Sequence, residues 1–410
     1  MRAHYETGER LRKRWGDDWL GSYSPSKVFV RSTDVNRTLQ SAFSQLAGLF
    51  PEGTGPLAYA PAHPDEPRPT GVRANEPALP NRGQPVAITS VAAPRDHMLR
   101  AWDNCGRFRE YLKALPTSKE WVAYAEENKD TLAALGKLAG WPADQPLAVS
   151  LRAVYLVQDA WVCEEAHGLP LSPAPGAELR LAARRLADWG LTAMFAGHVD
   201  GASSLDPMFG GDARREVARL TGGMLVTAIV SALERADRGL EAPKLSLFSA
   251  HDTTVAALLS ALRCFDNRGP PYNSTVVFEL HRKAPSADSE VRAWYNGSPL
   301  SLPGAEGDAF PTLEAFAKAV NELGLIVTDD ELFAACGASA DAPPPPPATP
   351  SASPPNNAPI LLAVMGGIAL GAAATAGAGY VYVAASHRRA GSSLMGNPMM
   401  WSPVEEDASP

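Results

Sequence analysis

The feature that most constrains the fold is a run in which a short apolar strand passes directly into an apolar helix. Residues 245–249, Leu-Ser-Leu-Phe-Ser, are typical of a buried strand. The apolar positions beyond them recur at helical spacing: Val255, Leu258, Leu259 and Leu262. His251 and Asp252 therefore lie at a strand-to-helix junction, where open α/β sheets bind ligands and helix N–H groups favour anions. The alternative is that Asp252 or Thr253 only caps the helix.

A second junction of this kind lies far upstream, in residues 28–46. Residues 28–30, Val-Phe-Val, predict another buried strand, and Arg31 follows it. A stripe of apolar residues at helical spacing comes next: Val35, Leu39, Ala42, Phe43 and Leu46. A guanidinium at a strand end holds two phosphate oxygens in a fork, which an ammonium does not do. We therefore interpret Arg31 as a partner of His251, with a surface charge that closes a strand as the alternative.

The two junctions carry a family resemblance. Val30-Arg-Ser-Thr-Asp-Val-Asn-Arg-Thr38 and Ser249-Ala-His-Asp-Thr-Thr254 closely resemble motifs of the histidine acid phosphatases, in particular the lysosomal and prostatic group. The similarity extends from about Tyr5 to about Cys336. It implies an α/β fold with a mixed central sheet flanked by helices and an inserted helical subdomain. It also implies a phosphomonoester substrate, with no metal and no cofactor.

The resemblance also implies residue roles. In the family a histidine attacks phosphorus, and water hydrolyses the resulting phosphohistidine. Arg31 and His251 would bind and neutralise the phosphoryl oxygens, and Asp252 would give a proton to the leaving group. The nucleophile belongs to an Arg-His-Gly-x-Arg-x-Pro run, which this sequence does not contain.

The missing run leads to several expectations about the chain. We expect that the sequence lacks its true amino terminus, including signal peptide and first strand, and that the residues as printed turn over little or no substrate. A truncated but genuine product is the alternative. Two other functions stay open: a catalytically inactive membrane glycoprotein that binds a phosphorylated ligand or partner, and a misfolded fragment whose sheet edges are unpaired.

Composition and pattern divide the chain into segments. The phosphatase-like α/β domain comprises residues 1–94 and 241–337, and a helical subdomain, residues 95–240, is inserted between them. In that subdomain the predicted helices are residues 108–112, 118–138, 147–161, 177–195 and 212–236. Elsewhere we expect short strands at residues 57–60 and 86–90, strands at 275–280 and 291–295, and a last helix at 310–323.

Charge and metal-ligand spacing exclude two classes of partner. The net charge is −8 and Lys and Arg do not cluster, which argues against nucleic acid. Glu164, Glu165 and His167 invite a metal interpretation. No second ligand cluster with zinc-like spacing accompanies them, so we expect no metal.

Residues 338–410 have the pattern of a stalk, a membrane span and a cytosolic tail. Residues 338–359 are rich in proline. Residues 360–385 carry no charge and are long enough to form a transmembrane helix. A His-Arg-Arg run at 387–389 follows, which places the tail 386–410 in the cytosol and predicts a single-pass type I protein. Gly367 and Gly371 have the small-xxx-small spacing of packed helices, so a homodimer is a further hypothesis.

Sequons and cysteines agree with a large domain outside the cytosol, in a lysosome, an endosome or at the cell surface. Three asparagines are glycosylation candidates: Asn36, Asn273 and Asn296. Four cysteines allow three connectivities. The resemblance suggests that Cys105 pairs with Cys336 and Cys163 with a cysteine near the late strand. There this chain has Ser274, with Cys264 ten residues earlier, so Cys264 is the remaining candidate.

Overall fold

A seven-stranded mixed sheet forms the centre of the computed structural model, which describes residues 1–57, 70–71, 76–172, 174–195, 203–284, 286–307, 309–337 and 380–386. The strands are β1 (Val28–Thr33), β2 (Thr89–Val91), β3 (Leu245–Ser249), β4 (Thr275–Arg282), β5 (Ser289–Tyr295), β6 (Ser298–Pro299) and β7 (Tyr380–Ser386). Their order is β2-β1-β3-β7-β4-β5-β6, with β2, β1 and β3 parallel and β4, β5 and β6 antiparallel. The sheet is therefore mixed, as the resemblance implies.

The helices lie on both faces of this sheet and in a separate layer beside it. They are α1 (Arg2–Trp15), α2 (Asp17–Leu20), α3 (Asn36–Leu49), α4 (Ala101–Asn104), α5 (Gly106–Ala114), α6 (Lys119–Glu127), α7 (Lys129–Ala139), α8 (Leu147–Ala166), α9 (Ala177–Phe195), α10 (Ala213–Asp237), α11 (Asp252–Ala261), α12 (Leu313–Glu322) and α13 (Asp329–Cys336).

Alternation along β1 and β3 gives each face of the sheet its own core. Val28, Val30, Leu245 and Leu247 pack with residues of α1 and α3 on one face. Phe248 points the other way and packs with α10 and α11. On the first face α1 and α3 cross closely at Gly8 and Gly48. A Cβ on Gly8 would lie 2.2 Å from the carbonyl oxygen of Gln45, so the helices approach this closely only because the residue is glycine. The tight crossing fixes the carboxyl-terminal half of α3 against α1.

The helical layer has a third core, built around Phe108, Tyr111, Trp121 and Trp161. The long helix α10 joins this core to the sheet, with Val217 and Leu220 in the helical core and Leu225 and Ile229 in the sheet core. Among the described residues α10 alone is long and apolar enough to cross a membrane. Of its most apolar 18-residue stretch, 61% is buried inside the fold. Packing against the sheet core and the helical core therefore explains why this helix is apolar.

Most predicted elements occur, with shifted boundaries. The predicted helix at 118–138 is two helices, α6 and α7, separated at Asn128, whose φ and ψ are −104° and 18°. The predicted strand at 86–90 is β2, shifted toward the carboxyl end. Of the strand predicted at 57–60 the structure describes only Leu57, which forms an isolated bridge with Pro77; residues 58–60 lie outside the described part of the chain. Helix α13 was not predicted. Thr328 and Glu331 form a capping box at its start, which was the available sequence signal.

Strand β7 requires a correction to the predicted membrane helix. Residues 360–379 lie outside the described part of the chain, but Tyr380–Ser386 pair antiparallel with β3 and parallel with β4. The end of the prediction, residues 380–385, is therefore wrong as a helix. The physical reason is the run Tyr-Val-Tyr-Val, since β-branched and aromatic residues favour a strand.

A buried carboxylate anchors α1 to the far half of the sheet. The carboxylate of Glu279 on β4 accepts hydrogen bonds from Arg14 Nε at 2.8 Å and from the Trp15 indole at 2.8 Å. His281 Nε2 lies 2.8 Å from its other oxygen. Burial alone would raise the pKa of Glu279, but these partners lower it to about 2. The carboxylate is thus ionised over the whole physiological range.

The cysteines form one bridge. Cys105 and Cys336 are disulfide-bonded, which confirms the first pairing that the resemblance suggested. Cys163 and Cys264 are free, so the second pair of candidates is wrong. Each thiol has a different partner: Cys163 Sγ lies 2.7 Å from the Tyr272 hydroxyl, and Cys264 Sγ donates to the carbonyl of Ser301 at 3.0 Å.

The three glycosylation candidates lie in different surroundings. Asn36 is exposed at the start of α3. Asn273 donates its side-chain amide to Thr7 Oγ1 at 2.9 Å. Asn296 accepts the backbone N–H of Thr275 at 2.8 Å and so helps to start β4. Asn36 is therefore the candidate whose side chain is most open to modification in the folded chain.

Candidate functional site

The site lies where β1 and β3 end side by side. The two strands are parallel with Ser32 opposite Ser249, so the chain leaves both at the same edge of the sheet. His251 follows β3 as the N-cap of α11 and is completely buried. Its Nε2 lies 3.1 Å from the hydroxyl of Thr33, the last residue of β1. The two sequence-predicted junctions thus meet in space, as the parallel register requires.

Arg37 holds the other ring nitrogen of His251. This arginine is the second residue of α3, and its Nη2 lies 3.2 Å from His251 Nδ1. A guanidinium only donates hydrogen bonds, so Nδ1 must be the unprotonated nitrogen and Nε2 carries the proton that Thr33 accepts. Burial lowers the pKa of His251 to about 3, and the charges of Arg37 and Arg100 act in the same direction. The imidazole is therefore neutral in the free site.

Asp252 is a buried carboxyl group with two donors. Its Oδ1 accepts the backbone N–H of Thr253 at 2.6 Å, and its Oδ2 accepts the hydroxyl of Tyr155 at 2.9 Å. Burial raises the pKa of Asp252 to about 7, although both hydrogen bonds oppose that shift. In a mildly acidic solution this carboxyl group carries a proton that it can transfer.

Arg31 has a buried carboxylate as its partner in the free site. Its Nη2 donates to Asp96 Oδ1 at 2.6 Å, and Asp96 is completely buried. Strand β1 runs to Thr33 rather than ending at residue 30, so Arg31 lies within the strand. Arg37, on the following helix, contacts His251 directly and was not predicted. That Arg31 binds phosphate stays a prediction of the sequence.

The segment between β2 and α5 covers the site and was missed by sequence reasoning. The edge of the Trp102 ring faces His251, with ring centroids 5.6 Å apart and an interplanar angle of 89°. The guanidinium carbon of Arg100 lies 5.3 Å from the Trp102 centroid, and Arg100 pairs with Asp103. The available signal was an arginine and a tryptophan within the five residues before Cys105. This segment adds positive charge and excludes water beside the imidazole.

The residues that invited a metal interpretation have other partners. Glu164 accepts the backbone N–H of Ser172 at 2.8 Å, Glu165 pairs with Arg180, and His167 Nδ1 lies 2.7 Å from the carbonyl of Cys163. No group of three or more His, Cys, Asp or Glu suited to a metal ion occurs in the described ranges.

The chemistry of the site follows from its charges. Arg37 offers guanidinium N–H donors, and Arg100 adds a second positive charge nearby. Beside them Asp252 is a carboxyl group whose raised pKa keeps a proton available. Cationic donors next to a proton donor suit an anion that gains negative charge as a bond to it breaks, such as a phosphoryl group and its leaving oxygen.

Comparison with known proteins identifies the family. The family model of the histidine phosphatase superfamily (branch 2) matches residues 1–296. Prostatic acid phosphatase of Homo sapiens is 31% identical over 327 residues, which cover 78% of this chain and 74% of that protein. Lysosomal acid phosphatase of Homo sapiens is 30% identical over 311 residues, 74% of this chain and 64% of that protein.

Solved structures agree on the fold. The phytase from Citrobacter braakii superposes with a TM-score of 0.53 at 15% identity, covering 80% of this chain and 88% of that chain. The apo form of Hafnia alvei phytase gives a TM-score of 0.53 at 14% identity, covering 82% of this chain and 86% of that chain. With the two junction motifs and the sequence relatives, these observations show that the chain belongs to branch 2 of the histidine phosphatase superfamily.

Proposed function

We propose that this protein hydrolyses phosphomonoesters at acidic pH, that Arg31, Arg37 and His251 bind the phosphoryl group, and that Asp252 donates a proton. The observation that carries the proposal is the contact of Arg37 with His251 at 3.2 Å, next to the protonatable carboxyl of Asp252. Relatives that are named acid phosphatases support the same class of reaction.

In the proposed reaction, each of these residues has a role that its chemistry permits. Arg31 and Arg37 bind phosphoryl oxygens through their N–H groups, for which Arg37 leaves Nδ1 of His251. The ring N–H of His251 then turns from Thr33 to a further phosphoryl oxygen. The dianion favours the protonated imidazole, so binding raises the pKa of His251 from its low value in the free site. Asp252 gives its proton to the departing alkoxide.

The nucleophile of the proposed reaction is not assigned to a described residue. In the family resemblance it is the histidine of an Arg-His-Gly run, and the printed sequence contains no such run. The residues as printed are therefore expected to bind phosphate with little turnover. This same observation favours a second candidate function, a catalytically inactive membrane glycoprotein that binds a phosphorylated ligand or partner.

An arginine pair tests the proposal and decides between the two functions. Arg37→Ala in the natural gene product is expected to weaken binding of inorganic phosphate at least tenfold, because it removes a charge-assisted donor next to His251. The matched control is Arg282→Lys, which keeps a positive charge beside Asp237 at the opposite edge of the sheet and should change binding less than about threefold. Phosphate affinity is measured by calorimetry and turnover with p-nitrophenyl phosphate.

Three outcomes of the arginine test are distinguishable. Turnover that disappears with Arg37→Ala supports the hydrolase. Phosphate binding that depends on Arg37, in a natural product that hydrolyses nothing, replaces the hydrolase by the binding protein. Binding that is lost with Arg282→Lys and kept with Arg37→Ala contradicts the assignment of Arg37.

The proposed location of the enzyme is a lysosome, an endosome or the cell surface, with the large domain outside the cytosol. The Cys105–Cys336 bridge supports an oxidising compartment. Membrane attachment rests on residues 360–379, whose 20 uncharged residues would span about 30 Å as a helix. Such a crossing would separate residues 380–386 from β3 by a bilayer, so the membrane-inserted protein could not also keep β7 in its sheet. The homodimer through Gly367 and Gly371 stays a prediction of the sequence.

A further inference from the structure

The helical layer contributes one hydroxyl group to the proton donor. Tyr155 lies in the first half of α8, far from the sheet in sequence, and its Oη lies 2.9 Å from Asp252 Oδ2. This contact is a direct link between the helical subdomain and a predicted catalytic side chain. Neither junction motif contains Tyr155.

The two donors to Asp252 are not equivalent. Thr253 contributes a backbone N–H, which can only donate, so Oδ1 remains an acceptor whether or not the carboxyl group is protonated. A transferable proton is therefore placed on Oδ2. There Tyr155 contributes a hydroxyl, which accepts from the protonated acid and, after rotation, donates to the carboxylate.

We propose that Tyr155 is the positioning residue of the proton donor: it directs the transferable proton to Oδ2 of Asp252 and stabilises the carboxylate that is left after proton transfer. The proposal rests on the proposed function, because it assigns a task to Tyr155 in the same reaction. A hydrogen bond to a charged group is stronger than one to its neutral form. Tyr155 therefore favours the ionised acid over the protonated one.

Other groups around Asp252 also act on its ionisation. Burial raises the pKa of Asp252, and the hydrogen bond from Tyr155 is the strongest interaction that opposes this effect. The Thr253 N–H and the charge of Arg37 act in the same direction as Tyr155, whereas Asp159 raises the pKa. The titratable and charged groups that surround the carboxyl are Arg37, Tyr155, Asp159, His251, Tyr272 and Tyr295.

Tyr155→Phe tests the role directly. The substitution removes the hydroxyl and keeps the ring, so the midpoint at which Asp252 ionises should rise by about one pH unit, a tenfold change in proton affinity. Infrared difference spectroscopy measures that midpoint through the C=O stretch of the protonated carboxyl group, assigned as the band that Asp252→Asn removes. The matched control is Tyr111→Phe, which removes a buried hydroxyl that donates to the carbonyl of Ala193 at 2.7 Å instead.

A midpoint that is unchanged or lower in Tyr155→Phe, with Tyr111→Phe as the reference, overturns the proposal. Where Tyr155→Phe does not fold, difluorotyrosine is incorporated into the otherwise unaltered protein and into Tyr111→Phe. The hydroxyl of difluorotyrosine is more acidic and therefore a stronger donor, so it should lower the pH at which Asp252 ionises in both proteins. An unchanged midpoint for Asp252 again overturns the proposal.

These measurements are independent of turnover. If the natural product hydrolyses no p-nitrophenyl phosphate, the proposed function fails while the infrared midpoint still reports on Tyr155. If it does, the alkaline limb of its pH profile should move upward by the same amount in Tyr155→Phe. A midpoint shift without that movement would show that Tyr155 acts on Asp252 outside catalysis and would overturn the positioning role.

Discussion

Asp252→Asn is expected to reduce phosphomonoester hydrolysis by the natural gene product about 10²- to 10⁴-fold, the usual contribution of a general acid. The amide has the size of the carboxyl group and still accepts hydrogen bonds from Thr253 and Tyr155, so the substitution removes the transferable proton without opening the site. Phosphate binding, which the proposal assigns to the arginines and His251, should change much less. Activity on p-nitrophenyl phosphate and phosphate affinity by calorimetry provide the two measurements.

The raised pKa of Asp252 predicts how hydrolysis changes with pH. Burial raises the pKa of Asp252 to about 7, so the acid carries its proton below that pH and loses it above. Hydrolysis should therefore be insensitive to this group below pH 7 and fall about tenfold per pH unit above it. The residual activity of Asp252→Asn should lack this alkaline limb.

Asp188→Asn is the control that separates loss of a catalytic proton from loss of a buried carboxyl group. Asp188 is also partly buried, accepts the backbone N–H of Gly269 at 2.7 Å and has a raised pKa because of burial, but it lies in the helical layer on α9. Asp188→Asn should leave both the activity and the alkaline limb within about twofold of the unaltered enzyme. An alkaline limb that persists in Asp252→Asn would show that another group donates the proton.

Local sequence pattern was sufficient for the elements that carry the site. The apolar run at 245–249 followed by a helical stripe predicted β3 and α11, and the pattern at 28–46 predicted β1 and α3. Parallel pairing of β1 and β3 then brings the two junctions to one edge of the sheet. His251 and Asp252 lie where this reasoning placed them, because a residue directly after a strand has little freedom of position.

The end of β1 shows what local pattern does not determine. The apolar run predicted a strand over residues 28–30, but the strand continues to Thr33. Strand ends depend on pairing with a neighbour, here β2 and β3, and not on the apolar run alone. The longer strand brings Thr33 to His251, and the helix that follows brings Arg37 to the same ring, so neither contact was predicted.

Contacts between distant segments account for the other residues that were missed. Trp102 and Tyr155 reach the site from the helical layer, 149 and 97 residues before the side chains that they contact, His251 and Asp252. No periodicity in one segment predicts such a contact. The shifted pKa values of His251 and Asp252 likewise result from burial by several elements together, so they follow only from the assembled fold.

Removal of the Cys105–Cys336 bridge is expected to destabilise the fold more than any of the other substitutions. The bridge joins residues 231 positions apart. In the chain-entropy account Cys105→Ser removes this cross-link and so raises the conformational entropy of the unfolded chain, which lowers the free energy of unfolding by about 5 kcal/mol. Urea unfolding followed by tryptophan fluorescence measures the loss. The unaltered protein in dithiothreitol should unfold at the same urea concentration as Cys105→Ser, since reduction removes the same constraint.

The free cysteine Cys264 supplies the control for this measurement. Its thiol donates to the carbonyls of Leu262 and Ser301, and a serine hydroxyl can donate to the same oxygens. Cys264→Ser should therefore change stability by no more than about 1 kcal/mol and should keep its sensitivity to dithiothreitol. Equal losses in Cys264→Ser and Cys105→Ser would show that the stability resides in thiol packing rather than in the cross-link.

The bridge also bears on the site. Cys105 immediately follows the segment that carries Arg100 and Trp102, and Cys336 ends α13, so the disulfide fixes that segment against the last helix of the domain. Trp102 in turn lies against the ring of His251. Partial reduction at low urea concentration should therefore weaken phosphate binding before the sheet unfolds. Phosphate affinity that stays constant until global unfolding would show that Trp102 is held by its own packing alone.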